Sequence, residues 1–326
     1  MNRIHMFFFL MAAMLLLWAG APIGAEEPTF AERLGWPKGA RLVIFHNDDA
    51  GLCHEANAAS IRGVEEGLIT SWSVMMPCAW VAEINDYLKQ HPETCSGLHL
   101  TLTCEWDKYR WRPVACAEQV PGLIDENGYM WGNVRQVAEN ATADEIETEI
   151  RAQIALAERM GMPISHLDTH MGTVFARMDY IERYIAIGLE KQIPLLVAGG
   201  HMTMLRKESE EMAANEDDIR MLAEVVWAAG LPVLDDLHTS AYDWKTDNKT
   251  DHFIEIMRAL EPGVTQVIIH ATVHTPNFDE ISGSGVTRQG DLNAMLDPKL
   301  KQVVEEEGII LTSWRELLER RKALGN

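Results

Sequence analysis

Apolar residues along the chain gather in eight short runs separated by longer amphipathic stretches. The runs are RLVIFH (41–46), ITSWSVMM (69–76), SGLHLTLT (96–103), ISHLDTH (164–170), IPLLVA (193–198), LPVLDDLH (231–238), TQVIIH (265–270) and GIILTSW (308–314). Each has strand length and is rich in β-branched residues, leucine or aromatics. Between most of them apolar residues recur at helical spacing. ATADEIETEIRAQIALAERMG is the clearest case. Thr142 with Glu145 makes a capping box and Gly161 closes the helix. SWRELLERRKAL ends the chain as a further helix. Strand and helix in alternation predict βαβ units on a parallel sheet. Seven or eight repeats in about 280 residues favour an α/β, single-domain, distorted TIM-like β/α barrel of mostly parallel strands. An open doubly wound sheet is the alternative. It is weakened because no Gly-rich phosphate loop follows the first run.

The N-terminus changes the domain picture. MNRIHMFFFLMAAMLLLWAGAPIGA (1–25) has one basic residue near its start, then an apolar run, then small residues. It reads as a secretory signal peptide cleaved after Ala25, with an uncleaved anchor as the alternative. Cleavage leaves one domain over 26–326, with no remaining membrane span, in the periplasm or outside the cell. It removes Arg3 and no acid, so 28 basic and 49 acidic residues become 27 and 49, a charge of −22. Such a balance argues against nucleic acid and anionic membrane surfaces as partners. The five cysteines are Cys53, Cys78, Cys95, Cys104 and Cys116. Export permits disulfides. Cys104–Cys116 and Cys53–Cys78 are candidate staples, and an odd count leaves at least one thiol free.

Polar residues that suit chemistry fall at the ends of the runs. Asp48 and Asp49 follow the first and His99 lies in the third. Asp168 and His170 end the fourth, His238 the sixth and His270 the seventh. In a β/α barrel the C-terminal strand ends converge on one face. A divalent cation held there by one carboxylate and two imidazoles would offset the cost of burying adjacent carboxylates. Taken singly, each has a plain structural reading: a solvated turn for the Asp pair, a core histidine for His99 and for His166. Two long connections follow the third and seventh runs, over 104–133 and 270–290. In the first, Trp106, Tyr109 and Trp111 offer flat faces for a sugar ring, with Arg110 and Arg112 for an anionic substituent.

The segments HNDDAGLC with Asn57, GLITSWSVMMP, SGLHLTLT, ISHLDTH, VIIH with Arg288, and LDP through EEEGIILTSWREL resemble the YdjC-like (ChbG/HpnK) carbohydrate deacetylase family. The resemblance runs from about Arg41 to Leu318. It implies metal-dependent hydrolysis of an N-acetylated sugar or oligosaccharide. Asp49, His99 and His170 would hold one divalent ion, Zn or Mg foremost, with Co, Ni or Mn as alternatives. Asp48 would be the general base and His270 the acid. Asp168, Arg288, His238 and His274 are secondary candidates, Asp168 as the partner of a ligand histidine and Arg288 of a site carboxylate. Against the family pattern the chain has Ala50 after the Asp pair, Met171-Gly172-Thr173 after the fourth run, and HATVHTP in place of a Pro-Gly after the seventh-run histidine. These departures touch the substrate pocket more than the ligands. Rival expectations are another single-metal hydrolase, acting on an ester or phosphoester, and a carbohydrate-binding relative without catalysis.

Overall fold

The computed structural model describes residues 27–210 and 214–325. The signal-peptide reading for 1–25 lies outside these residues. Seven strands form one sheet: β1 (Arg41–Ala50), β2 (Ser71–Val74), β3 (Ser96–Leu100), β4 (Leu167–Thr169), β5 (Asp236–His238), β6 (Gly263–Ile269) and β7 (Ile310–Leu311). Their order is β4-β3-β2-β1-β6-β5, with β7 beside the start of β1. All named pairings are parallel, and helices fill the connections. This is the distorted TIM-like arrangement that the alternation predicts.

The run at 193–198 is not a regular strand. It carries only the bridges Leu167↔Leu195 and Ala198↔Leu234. Pro194 has no N–H to give to a ladder, yet its carbonyl accepts from Leu167 N at 2.8 Å, and Leu234 N donates to Val197 at 3.0 Å. Those bonds carry the sheet from β4 round toward β5. The other runs are shortened. The third stops at Leu100 because the amide of Gln153 takes over the backbone of Thr101, bonding its N at 3.1 Å and its O at 2.7 Å. The last keeps two residues, since Ser313 caps the helix Trp314–Ala323. The capping-box helix is Ala143–Met160, with Thr142 and Glu145 bonded reciprocally and Gly161 at φ 71°.

Side chains alternate along a strand, and this decides what fills the barrel. Val43 and Phe45 pack outward with Phe253 and Met257 of the helix Thr250–Ala259. The opposite face of β1 holds His46 and then Asp48, both buried. A regular strand would send Asp49 the other way. The register slips between Asn47 and Ala50, and Asp49 adopts φ 68°. That irregularity lets two successive carboxylates reach the same mouth. A non-glycine residue in this region costs about 1–3 kcal/mol, a strain typical of functional sites.

Gly51 completes the turn at φ 85°, where a Cβ would meet Val74 Cγ1 at 2.9 Å. Its N–H donates to Asn57 Oδ1 at 2.7 Å. Gly51→Ala should therefore destabilise the fold by about 1–3 kcal/mol through positive φ and crowding together; a chemical denaturation midpoint equal to wild type would contradict this.

No disulfide is present among the described residues. Cys53, Cys78, Cys95 and Cys104 are buried free thiols and Cys116 is an exposed one. The candidate staples Cys104–Cys116 and Cys53–Cys78 are therefore corrected. Cys104 Sγ instead takes the Trp111 N–H at 3.2 Å, and the Cys116 thiol bonds Glu118. No helix among the described residues is long and apolar enough to cross a membrane.

Candidate metal centre and active site

Asp49, His99 and His170 meet at the C-terminal mouth. Asp49 Oδ1 lies 3.4 Å from His99 Nε2 and 3.4 Å from His170 Nδ1. The two imidazole nitrogens are 3.3 Å apart. A tetrahedral ion with ligands at about 2.0–2.1 Å has ligand-to-ligand edges of about 3.3–3.4 Å. The three donor atoms thus already have the spacing of one face of such a site. All three side chains are buried, and neither carboxylate oxygen of Asp49 makes a full hydrogen bond. The residues present fit a divalent cation.

Each of the three is held from behind. Asp168 Oδ1 accepts from His99 Nδ1 at 2.8 Å, which leaves Nε2 facing the centre. Glu105, on the loop after β3, lies 2.9 Å from His170 Nε2. Arg288 Nη1 sits 2.7 Å from Asp49 Oδ2. Burial alone would raise the Asp49 carboxyl. The Arg288 guanidinium and the imidazoles of His170 and His99 outweigh it and hold the group well below the usual carboxylate range. Burial opposes a charged His170, but Glu105 and Asp49 push it up to about 9. His99 is raised in the same way by Asp48 and Asp168.

Asp48 stands beside this trio. Its Oδ2 lies 3.7 Å from His99 Nε2 and 3.7 Å from His270 Nε2. His270 packs on the Tyr242 ring at 4.8 Å, and burial pushes its imidazole down to about 4. Its backbone N–H donates to Asp291 Oδ2 at 3.0 Å, and the other oxygen of Asp291 pairs with Lys249 at 2.8 Å in a fully buried ion pair. Lys249 Nζ also donates to Ala241 O at 2.8 Å, beside Tyr242. Asp291→Ala would strand the Lys249 charge. We expect a loss of about 3–5 kcal/mol in folding stability, read by denaturant unfolding, and a loss below about 1 kcal/mol would contradict a buried pair.

Two secondary candidates go elsewhere. His238 Nδ1 bonds Glu208, and its ring lies 5.4 Å from Trp244. His274 Nε2 bonds Asp279 at 2.7 Å. Neither touches the Asp/His trio. The aromatic loop is mostly turned in on itself. Trp111 Nε1 donates to Thr103 O at 2.9 Å, Tyr109 hydroxyl to Leu52 O at 2.6 Å, and Arg110 pairs with Asp125 at 3.2 Å. Arg112 leans on the Tyr129 ring. Trp106 lines a cavity of about 410 Å³ that it shares with Tyr242, Lys245 and Thr287.

Sequence reasoning missed Glu105, Tyr242 and His46. Besides the trio, His46, His166 and Asp168 form a second His/Asp cluster inside the barrel. His46 and His166 carry a sequence signal, since each lies two residues before an aspartate of the site and so on the same strand face. Glu105 sits in an irregular connection and Tyr242 in a short 3-10 turn (Ser240–Asp243), and neither carries one.

Comparison with known proteins agrees with this architecture. A family model described as YdjC-like protein matches residues 42–306. The chain is 29% identical over 276 residues to a carbohydrate deacetylase of Thermus thermophilus, covering 84% of this chain and 93% of the relative. It is 26% identical over 288 residues to a chitooligosaccharide deacetylase of Yersinia enterocolitica, covering 85% and 99%. A solved structure from Enterococcus faecalis, described in terms of cellobiose-phosphate cleavage, superposes with a TM-score of 0.68 at 21% identity, covering 85% of this chain and 99% of its own. That last likeness bears on the fold alone.

Proposed function

The chain belongs to the family of YdjC-like proteins, and on that premise we propose that it is a metal-dependent carbohydrate deacetylase that removes an acetyl group from an N-acetylated sugar or oligosaccharide. The observation that carries the reading is the triangle of donor atoms on Asp49, His99 and His170, with edges of 3.3–3.4 Å. These residues would hold one divalent ion. Two imidazoles and a carboxylate suit Zn foremost among N-binding metals, with Mg, Co, Ni or Mn as alternatives. Such an ion polarises an acyl oxygen and brings the pKa of a water it holds to about 7.

The chain's own groups supply the rest. Asp48 Oδ2 faces the trio and accepts the attacking water's proton as general base. The carbonyl carbon then becomes tetrahedral, and its collapse needs a proton on the departing nitrogen. His270 stands 3.7 Å from the oxygen that takes up the proton. Burial keeps it neutral while the substrate enters, and it hands the proton on to the amine. Arg288 holds Asp49 ionised and fixed. Trp106 and Tyr242 line one cavity and lie against Arg288, with Tyr242 also against His270, and aromatic faces suit the C–H faces of a pyranose.

The test is acetate release from N-acetylglucosamine oligomers and other N-acetyl glycans by metal-reconstituted protein. Release that depends on added metal supports the reading. A protein that binds one metal tightly yet releases acetate from none of them points to another ester or amide substrate. In the same reading, residues 1–25 direct export to the periplasm or beyond and are removed. A mature N-terminus beginning at Glu26 supports this, and a retained Met1 refutes cleavage.

A further inference from the structure

We propose that His46 is a positioning residue that ties the general base to the carboxylate orienting a metal ligand, so that both are aimed by one ring. The proposal rests on the deacetylase reading above. His46 lies on the inward face of β1, two residues before Asp48, and is fully buried. Its Nε2 lies 2.8 Å from Asp168 Oδ2 and 3.3 Å from Asp48 Oδ1. Ser73 Oγ is 3.1 Å from the same nitrogen, and Ser71 Oγ 3.1 Å from Nδ1. Ser71 is the register partner of His46 on β2. The two hydroxyls therefore fix the plane of the ring from the neighbouring strand.

The division of oxygens gives the arrangement its sense. Asp48 turns Oδ1 to His46 and Oδ2 to His99 and His270. Asp168 turns Oδ2 to His46 and Oδ1 to His99 Nδ1. His46 thus faces the back oxygen of each carboxylate at ion-pair distance, nearest to Asp168 and without full hydrogen-bond alignment to either, and leaves the front oxygen to its task. For Asp48 that task is receiving a proton, and for Asp168 it is setting the direction in which His99 Nε2 points. A carboxylate free to rotate would lose this preorganisation, and outer partners of metal ligands are worth about 10–100-fold in affinity or activity. The His166 ring meets His46 edge-on at 4.8 Å and stacks on Trp314 at 5.2 Å.

The experiment compares His46→Leu with His46→Gln in the full-length, metal-reconstituted protein. The readouts are kcat, KM, and metal Kd by competition with a chelating dye, which needs no substrate. A positioning role requires an N–H donor, which glutamine restores and leucine does not. We expect H46L to lower kcat by about 10–100-fold and weaken metal Kd within the same range. KM should stay within about twofold, and H46Q should recover most of both losses. A packing role gives the reverse order, with leucine tolerated and glutamine harmful, and overturns the proposal. Should H46L fail to fold, Ser71→Ala decides: it removes only the hydroxyl at Nδ1. A severalfold fall in kcat with an unchanged melting temperature supports the role, and wild-type kcat and metal Kd overturn it. A wild type that binds metal but releases no acetate refutes the deacetylase reading and leaves the metal Kd series to judge His46. A wild type that binds no metal overturns both.

Discussion

Asp48→Asn is expected to lower kcat for acetate release by about 10²–10⁴-fold, the range for loss of a positioned general base, while metal stays bound. Asparagine matches aspartate in size and keeps an acceptor for His46. It has no basic oxygen to take a proton. Asp48 is not one of the three donors whose atoms lie 3.3–3.4 Å apart, so metal stoichiometry should remain that of wild type. KM should move little, because the loss is realised in the transition state. The measurement is a steady-state kinetic comparison beside metal analysis of the same preparations. A variant that keeps wild-type kcat would remove Asp48 from the chemistry. A variant that loses its metal would make Asp48 a ligand, and the proton would then have to go elsewhere.

What the sequence disclosed follows from how local each signal is. The capping-box helix and the strand-helix alternation were legible because period, cap and turn residues are written within a few positions of each other. Asp48, Asp49, His99, Asp168 and His170 could be grouped because barrel topology gathers strand ends, whatever the side-chain detail. The rest depended on events no window contains. The run at 193–198 has a strand's composition, but Pro194 denies it a full ladder. The gathering of both carboxylates requires a register slip and a positive φ at Asp49, which nothing in an Asp-Asp pair announces. Glu105 reaches His170 from a connection without periodicity. His238 and His274 were plausible by placement along the chain, yet Glu208 and Asp279 take them up. Trp111 and Tyr109 were plausible sugar faces by type, yet their polar tips are bonded inward. Residue type and strand position locate a mouth; loop packing decides which side chains enter it.

The second large effect concerns the donors themselves. His170→Ala should weaken metal binding by at least about 10²-fold, since even partners outside the ligand set are worth about 10–100-fold, and acetate release should fall with it. The substitution also strands Glu105, whose carboxyl is held below its usual range by the His170 imidazole against the effect of burial. The wild-type protein should show a matching pH dependence. A metal takes neutral imidazole. In the metal-free chain Glu105 and Asp49 hold His170 protonated up to about pH 9. His99, raised in the same way by Asp48 and Asp168, must also be neutral to bind, so below that pH at least one proton leaves for each ion bound and affinity should rise with pH across the neutral range. Titration calorimetry in buffers of different ionisation enthalpy reads the protons released. Affinity that stays flat from about pH 6.5 to 9, with no proton released, would mean that His170 is neutral without metal and that its contact with Glu105 is an ordinary hydrogen bond. Affinity unchanged in His170→Ala would remove it from the ligand set, and the triangle of donors would lose its meaning as a metal site.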